Sequence, residues 1–389
     1  MSEKVKFGVI GVGNMGGHHL DLFSKVENAE LVAVCDTNTE TLENAVKKHE
    51  VQGFSSSDAL IESKVCDAII IATPHYDHTT IGIKALEAGY HVLVEKPLSV
   101  HKADCQRIIN AYKDKSKVFG AMFNQRTDPH YQKARELIQN GEIGTFQRVN
   151  WIITDWYRTQ HYYNSGGWRA TWRGEGGGVL LNQCPHNLDL IQWMCGMPTK
   201  VTAVGSIGRF HDIEVEDDIT AILEYENGAN GVFITTTGEA PGTNRLEIVG
   251  TKGKLIIDFD QGNGIQFTKN EVGSDIDIKE SKSGFAKPND WNINIPINGR
   301  GEQHLGIIKN FTNAILGKEE LIAPAIEGIN SVELGNAMVY SALHNESVTL
   351  PMDEQKYEEF LMEKIKSSKF VKKEIVSEGA SDFSNSNSF

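Results

Sequence analysis

Short, almost wholly apolar runs alternate with amphipathic segments through the first 125 residues of the chain. The apolar runs are VKFGVI (5–10), LVAVCD (31–36), DAIIIAT (67–73), HVLVEK (91–96) and VFGAMF (118–123). Runs of this composition are typical of strands that are buried on both faces of a sheet. Helix-like segments, among them TETLENAVKKHE (39–50) and HTTIGIKALEAG (78–89), lie between the runs. This alternation predicts a doubly wound parallel sheet, the Rossmann α/β fold.

The second part of the chain has a different rhythm from about residue 145. Strands that alternate or pair through turns are predicted in FQRVNWIIT (146–154), KVTAVGSIG (200–208), DITAILEYENGANGVFITTT (218–237), NRLEIVG (244–250) and GKLIIDF (253–259), with turns at Asn227-Gly228 and Asn230-Gly231. They predict an α+β unit with an open, mostly antiparallel sheet. Helices at 128–140, 300–316 and 325–344 are expected to connect or cover this sheet. We therefore expect a first domain at 1–125, a second at 126–372 and a disordered tail at 373–389.

The net charge of −14 at pH 7 argues against nucleic acid or an anionic membrane as a partner, because both bind positively charged surfaces. No apolar stretch reaches the roughly 18 residues of a membrane span, and the first strand pattern begins without a preceding signal peptide. The five cysteines, at 35, 66, 105, 184 and 195, include no CxxC pair. We expect reduced thiols and a cytoplasmic location.

A glycine-rich motif lies between the first predicted strand and a helix pattern, and its residues are Gly11, Gly13, Asn14, Met15 and Gly16. Asp36 follows twenty residues after Gly16, at the end of the second predicted strand. This context offers a tight turn, close backbone approach to a pyrophosphate, a helix N-terminus for its charge and a carboxylate for ribose hydroxyls. It predicts a dinucleotide site. Asp36 would repel a 2′-phosphate and no arginine follows it, so NAD is favoured, while use of NADP stays open.

Four segments carry a resemblance to a known family: GVGNMG (11–16), ATPHYDHTTIGIKALEAGYHVLVEKP (72–97), FNQR (123–126) and GGGVLLNQCPHNLD (176–189). The chain resembles the glucose–fructose oxidoreductase / inositol dehydrogenase (Gfo/Idh/MocA) family over roughly residues 4–350, and AGYHVLVEKP is the most specific segment. The resemblance implies that Lys96 sits beside the nicotinamide, that Lys96–Pro97 is a cis peptide, and that His186 and Asp189 supply other polar groups of the active site. It also implies cofactor contacts from Thr73, Pro74, His78, Glu95, Lys96 and Asn124.

One position of the last motif departs from the family. Many members have aspartate four residues before the histidine, where this chain has Asn182. An amide cannot carry a negative charge or accept a proton, although it can hydrogen-bond to hydroxyls at both ends. Asn182 is one of the predicted catalytic residues, and we expect it to orient the substrate rather than to transfer a proton. Cys184 and Pro185 also depart, and Pro185 predicts a kink or a helix start, which weakens the expectation that Asn182 and His186 share one helix face.

The chemistry of alcohol oxidation assigns roles to two of these residues. A hydroxyl proton must be removed as hydride leaves the carbon, and histidine, whose ordinary pKa is about 6.5, suits that exchange. His186 is the predicted proton acceptor, and Lys96 would stabilise the developing alkoxide. The alternative for His186 is a buried core histidine, and a structural role competes closely for Asp189.

The segment 155–178, DWYRTQHYYNSGGWRATWRGEGGG, has no steady period and predicts a loop that is rich in aromatic and arginine side chains. Aromatic faces stack on the C–H faces of a sugar ring, and guanidinium groups meet its hydroxyls. The predicted contacts to a sugar, glycoside or cyclic polyol come from Tyr157, Trp168, Arg169, Trp172, Asn182, Gln183, His186 and Asp189. The alternative is a loop whose aromatic side chains pack on the sheet.

The leading hypothesis is an NAD-dependent dehydrogenase or reductase of such a substrate. A glycosidase that uses bound NAD for transient oxidation is the second hypothesis, and a non-catalytic NAD-binding sensor is the third. No HxH or HExxH spacing supports a metal site, and none is predicted. Apolar residues on both faces of GVFITTT (231–237) and GKLIIDF predict a homodimer or homotetramer formed through the open sheet.

Overall fold

The first unit of the computed structural model is a six-stranded parallel sheet. The structure describes residues 4–259, 262 and 264–372, so the predicted disordered tail at 373–389 lies outside the described residues. The strands are β1 (Val5–Ile10), β2 (Ala29–Cys35), β3 (Gln52–Phe54), β4 (Ala68–Ile71), β5 (His91–Val94) and β6 (Phe119–Ala121). Their spatial order is β3-β2-β1-β4-β5-β6, and every pair is parallel. This is the Rossmann order, as predicted.

Helices cover both faces of this sheet: α1 (Asn14–Leu22), α2 (Thr39–His49), α3 (Ser57–Ser63), α4 (His75–Glu87) and α5 (Lys102–Ala111). β4 has no exposed residue, because apolar side chains pack against it from both sides. The side chain of Asn38 accepts a hydrogen bond from Thr41 N at the start of α2, and Ser56 does the same for Ala59 N at the start of α3. In this order the carboxyl ends of the strands and the N-termini of the helices that follow them lie at one edge of the sheet.

Nine strands among the described residues form the second sheet: β7 (Phe146–Ile153), β8 (Lys200–Ile207), β9 (Glu216–Glu224), β10 (Asn230–Thr236), β11 (Asn244–Gly250), β12 (Gly253–Asp258), β13 (Gly264–Asn270), β14 (Asp290–Pro296) and β15 (Val348–Thr349). Their order is β14-β13-β12-β11-β7-β10-β9-β8-β15. Only β7 and β10 pair in parallel among these strands. The mostly antiparallel sheet agrees with the prediction.

One predicted turn is wrong. Asn227-Gly228 does connect β9 to β10, and Gly228 has a φ of 82°. Asn230 and Gly231, however, lie inside β10 and pair with β7. A Cβ at Gly231 would lie 2.7 Å from the main-chain oxygen of Val149. Glycine is present there because two backbones approach closely rather than because the chain turns.

Helices cover one face of the second sheet. The helices of this part of the chain are α6 (Pro129–Gln139), α7 (Gln160–Asn164), α8 (Val179–Asn182), α9 (Pro185–Cys195), α10 (Ser274–Glu280), α11 (Gln303–Ile315), α12 (Gly328–His344) and α13 (Glu354–Ser367). α9 and α12 contact each other, and their buried residues share one core with Trp151, Phe233 and Leu246 of the sheet. The opposite face stays open: Val204 is 65% exposed and Ile222 is 51% exposed.

The expected position of α11 is wrong. The sequence predicts that this helix connects or covers the antiparallel sheet, whereas Phe311 packs against Phe7 of the parallel sheet at a ring distance of 6.2 Å. A Cβ at Gly120 in β6 would lie 3.0 Å from the Phe311 ring, so glycine makes room for it. The chain thus returns to the first core late in the sequence. Within the described residues, no helix combines the length and the apolar character that a membrane crossing requires.

Candidate active site

Three glycines shape the loop between β1 and α1. Gly11 has a φ of 84°, in the left-handed region that favours glycine. A Cβ at Gly16 would lie 1.8 Å from the main-chain oxygen of Gly11, so only glycine lets α1 approach β1 this closely. Gly13 precedes α1, and no heavy atom lies within 4 Å of a Cβ placed there. Asn14 and Met15 open α1, whose N-terminus and open backbone fit a pyrophosphate.

Asp36 ends the second strand beside this loop. Its Oδ2 accepts from Val12 N at 2.9 Å, and its Oδ1 accepts from Asn38 N at 2.8 Å. These two bonds hold the carboxylate at the carboxyl ends of β1 and β2 while leaving lone pairs on both oxygens. The position fits the hydroxyls of an adenosine ribose.

Lys96 connects the parallel sheet to the second unit. The Lys96–Pro97 peptide is cis, as the resemblance implies. Lys96 Nζ donates to the main-chain oxygen of Asn182 at 3.0 Å. Glu95 is buried; its Oε1 lies 2.7 Å from His19 Nε2, and its Oε2 accepts from Lys96 N at 3.0 Å. Burial lowers the pKa of Lys96, while the Glu95 carboxylate opposes that shift.

The remaining predicted cofactor residues lie in the loop after β4 and, for Asn124, in the turn after β6. His78 is buried, with Nδ1 2.9 Å from the oxygen of Pro97 and Nε2 2.8 Å from the oxygen of Thr73, so its ring bridges this loop and the EKP segment. Pro74 precedes the first residue of α4 and is exposed. Asn124 is buried and donates from Nδ2 to Gln303 Oε1 at 3.1 Å. His78 thus joins the loop after β4 to the Glu95–Lys96–Pro97 segment after β5.

His186 lies in the first turn of α9, which begins at Pro185 as predicted. It is 2% exposed, its ring meets Phe123 edge-on, and its Nδ1 has no hydrogen-bond partner among the described groups. Burial lowers its pKa well below the ordinary value, and the positive charge of Lys96 lowers the pKa further. A neutral imidazole with an unpaired nitrogen can accept a proton.

A hydrogen-bond network surrounds Asn182. Tyr162 OH donates to Asn182 Oδ1 at 3.2 Å and accepts from Arg169 Nη1 at 2.6 Å. Gln183 Nε2 lies 3.1 Å from the same hydroxyl, and its buried Oε1 has no partner among the described groups. Asn182 Nδ2 donates to Glu175 Oε1. The predicted residues Asn182, Gln183 and Arg169 are thus brought together around Tyr162.

The aromatic residues of the loop divide into two groups. Trp168 packs edge-on against His75 at 5.5 Å, with the Arg169 guanidinium 4.8 Å from its ring. Tyr157 is half exposed. Trp172 was predicted to contact substrate, but the structure does not place it with the others: its ring is buried in the second core against Phe360. Burying the large Trp172 ring in the core stabilises the fold, and the ring is therefore not left to contact a substrate.

Among the described residues, the Asp189 carboxylate makes its hydrogen bonds to Arg126 and Gln192 and not to His186. Both of its oxygens accept from the Arg126 guanidinium, Oδ2 from Nε at 2.7 Å and Oδ1 from Nη2 at 2.6 Å, and both side chains are buried. Gln192 also donates to Oδ1 at 3.1 Å. Because the ion pair with Arg126 occupies both carboxylate oxygens, the geometry favours a structural role for Asp189.

The comparisons with known proteins agree with this geometry. Residues 5–123 match the family model described as the oxidoreductase family with an NAD-binding Rossmann fold, and residues 131–256 match the model of the GFO/IDH/MocA C-terminal domain. The chain belongs to the Gfo/Idh/MocA family. It is an NAD-binding oxidoreductase with the two-part architecture of that family.

Several relatives of known activity are similar to this chain. It is 28% identical to myo-inositol 2-dehydrogenase of Thermotoga maritima over 65% of this chain and 75% of that one. It is 30% identical to 2,7-anhydro-N-acetylneuraminate hydratase of Escherichia coli over 67% of this chain and 69% of that one. The structure of the WlbA dehydrogenase from Bordetella pertussis, in complex with NADH and UDP-GlcNAcA, superposes with a TM-score of 0.75 at 27% identity, covering 90% of this chain and 100% of that one.

Sequence reasoning missed the importance of Tyr162 and Glu175, because their roles depend on contacts with Asn182 across the loop. It also missed His19, which pairs with Glu95 from α1. His304 of α11 lies 5.5 Å from His19 between ring centres. The available signal was that polar residues such as His19 and Glu175 lie beside the family motifs. Over the described ranges, no group of three His, Cys, Asp or Glu side chains is arranged to hold a metal ion.

Proposed function

We propose that this Gfo/Idh/MocA protein is an NAD-dependent dehydrogenase or reductase that acts on a CH–OH group of a sugar, glycoside or cyclic polyol. The observation that carries the proposal is His186: its buried Nδ1 has no partner, and the charge of Lys96 acts on the ring. A buried polar atom without a partner costs about 1–3 kcal/mol, and a catalytic role is one of the reasons for which proteins keep such atoms.

Bound NAD would accept or return the hydride. The residues that would hold it are the glycine motif, Asp36 and the loops joined by His78. On the protein side, the neutral imidazole of His186 accepts the hydroxyl proton. The Lys96 ammonium stabilises negative charge that develops on the same oxygen. Asn182 orients a neighbouring hydroxyl through its side-chain amide.

The substrate class is inferred from the polar and aromatic groups around Tyr162. Trp168 offers an aromatic face, and Tyr162, Gln183 and Arg169 offer hydroxyl, amide and guanidinium groups within one network. Such a combination suits a ring that bears several hydroxyls. Support also comes from the relatives, since one acts by name on myo-inositol and the WlbA complex contains a UDP-linked sugar acid.

A second candidate is transient oxidation without net production of NADH, as in an NAD-dependent glycosidase. The observation that favours it is the relative named a hydratase, since hydration is not a net oxidation. The same His186 and Lys96 would serve in both cases, because each begins with removal of a hydroxyl proton.

NAD is the proposed cofactor in preference to NADP, because the Asp36 carboxylate stands where a 2′-phosphate would lie. A homodimer or homotetramer built through the open sheet is proposed because Val204 and Ile222 expose apolar surface there. A cytoplasmic location is proposed because the described cysteines are free thiols.

The experiment is a screen for NAD reduction over free sugars, inositols, anhydrosugars and glycosides, with aryl-glycoside hydrolysis measured in parallel. Reduction of NAD by one substrate class is expected. Cleavage or hydration without NADH would support the second candidate. Bound NAD with no turnover of any kind would favour a sensor instead.

A further inference from the structure

Glu175 is a buried carboxylate for which the proposed reaction has no direct use. Glu175 as a whole is only 1% exposed. Oε2 accepts from Ala170 N, and Oε1 accepts from Asn182 Nδ2. Burying a carboxylate costs free energy unless it gains hydrogen bonds or charge partners, and here both oxygens have donors.

The contact with Glu175 fixes which way the side-chain amide of Asn182 is turned. An ionised carboxylate only accepts hydrogen bonds, so the amide nitrogen of Asn182 must point toward Glu175. Its Oδ1 then points toward Tyr162 OH, 3.2 Å away. The main-chain oxygen of the same residue accepts from Lys96 Nζ at 3.0 Å. One carboxylate therefore sets the orientation of an amide that adjoins the lysine.

The contact with Ala170 holds the turn that follows Arg169, the second part of the proposed substrate site. Ala170 has a φ of 57°, a strained value for a residue with a Cβ, and the Glu175 carboxylate stabilises this turn through the Ala170 amide. Arg169, one residue earlier, donates to Tyr162 OH at 2.6 Å. The main-chain oxygen of Glu175 also lies 3.3 Å from His75 Nδ1. Glu175 thus joins the loop that carries Arg169 to the segment that carries Asn182.

We propose that Glu175 is a positioning residue that sets the Asn182 amide and the Arg169 turn in the geometry needed to orient a substrate hydroxyl. The proposal rests on the proposed function, because it assigns Glu175 to the same substrate site. Burial raises the pKa of Glu175, and the nearby Arg169 charge opposes that rise. The carboxylate acts through its two donors and need not touch substrate.

The test is a reciprocal exchange. Glu175→Gln keeps the shape but supplies one acceptor and one donor where two donors must be satisfied. Asn182→Asp sets a carboxylate against a carboxylate. In the double variant E175Q/N182D, the new glutamine amide can donate to the new aspartate while its oxygen still accepts from Ala170 N. We expect each single variant to lose about 10- to 100-fold in kcat/KM, the range of a small misplacement, and the double variant to regain part of that loss.

Glu214→Gln is the matched control. Glu214 Oε1 also accepts a main-chain hydrogen bond from the loop that carries Ala170, from Trp172 N at 3.0 Å, but within the described part of the chain it makes no hydrogen bond to Asn182. E214Q should keep its kcat/KM, and adding it to N182D should not restore the activity that N182D loses. Near wild-type kcat and KM in E175Q, or equal losses in E175Q and E214Q, would overturn the proposal.

Thermal unfolding provides a readout that needs no substrate. The Tm of the double variant should exceed that of both single variants, whereas strictly additive losses would overturn the proposed pairing. A failed substrate screen would contradict the proposed function alone, since the Tm series still decides whether Glu175 and Asn182 act as a pair.

Discussion

Arg126 and Asp189 form a two-bond ion pair, at 2.7 and 2.6 Å, in which both side chains are buried. Arg126 lies in the FNQR segment after β6, and Asp189 lies in α9, so the pair ties the helix that carries His186 to the parallel-sheet unit. Arg126 Nη1 also reaches Glu327 Oε2 at 2.6 Å. The helix that holds the proposed base is therefore anchored by charge as well as by packing.

Asp189→Asn should destabilise the protein by about 3 kcal/mol, because it removes one charge of a buried pair and leaves Arg126 only partly compensated. Denaturant unfolding measures the change. Asp21→Asn is the control, since Asp21 pairs with Lys48 at the surface and such pairs contribute about 1 kcal/mol or less. A variant at Asp189 with unchanged stability but a large loss in kcat/KM would instead assign this residue to the substrate.

The glycine motif offers a matched pair of substitutions. Gly13→Ala should fold with little loss of Tm, because no atom lies within 4 Å of the added Cβ, yet it should weaken NAD binding by intruding on the pyrophosphate. Gly16→Ala should lower the Tm strongly, since its Cβ would collide with the main chain of Gly11. Melting curves and NADH fluorescence titrations separate the two effects. Equal Tm losses would contradict this division of roles.

Asp36→Ala should reduce the preference for NAD over NADP, because it removes the carboxylate that would repel the 2′-phosphate. The carboxylate also accepts from Val12 N and Asn38 N, so some loss of NAD affinity is expected. Titration of both cofactors against wild type and variant measures the ratio of Kd values. Tighter binding of NADP by the wild-type protein would refute the assignment.

Strands could be predicted from the sequence where apolar residues form a continuous run or alternate along a covered face. β4 is apolar throughout and buried on both faces, so it stands out in the sequence. β14 was missed because DWNINIP is largely exposed and carries asparagine at alternate positions. The amphipathic pattern of α11 indicates a buried face but does not specify which sheet covers it.

The same distinction applies to the site. Lys96 and His186 belong to short motifs that the sequence displays directly. Glu175 gains its role only when folding brings it against Ala170 and Asn182. Whether Asp189 faces a substrate or an arginine depends on Arg126, which is 63 residues away in the chain.

Ile222→Lys should dissociate the proposed oligomer. Ile222 is half exposed on the open face, where its register partners are Thr202 and Val232 of the neighbouring strands. A lysine there would place a charge in an apolar contact. Light scattering at micromolar concentration should give a smaller mass for this variant. The control Met362→Lys, on α13, should keep the wild-type mass. A monomeric wild-type protein would contradict the assembly.

The most direct test of the account is the pH dependence of turnover in His186→Ala, compared with wild type and with His49→Ala, a histidine at the end of α2. The pKa of His186 lies well below its ordinary value because of burial, so the wild-type oxidation rate should begin to fall only well below pH ~6.5 as the imidazole takes up a proton. The variant should bind NAD nearly as well as wild type, turn over about 10²–10⁴-fold more slowly, and lack that acidic limb. A folded His186→Ala protein with near wild-type turnover and an unchanged acidic limb would contradict the account and make Lys96 the first candidate for the proton path.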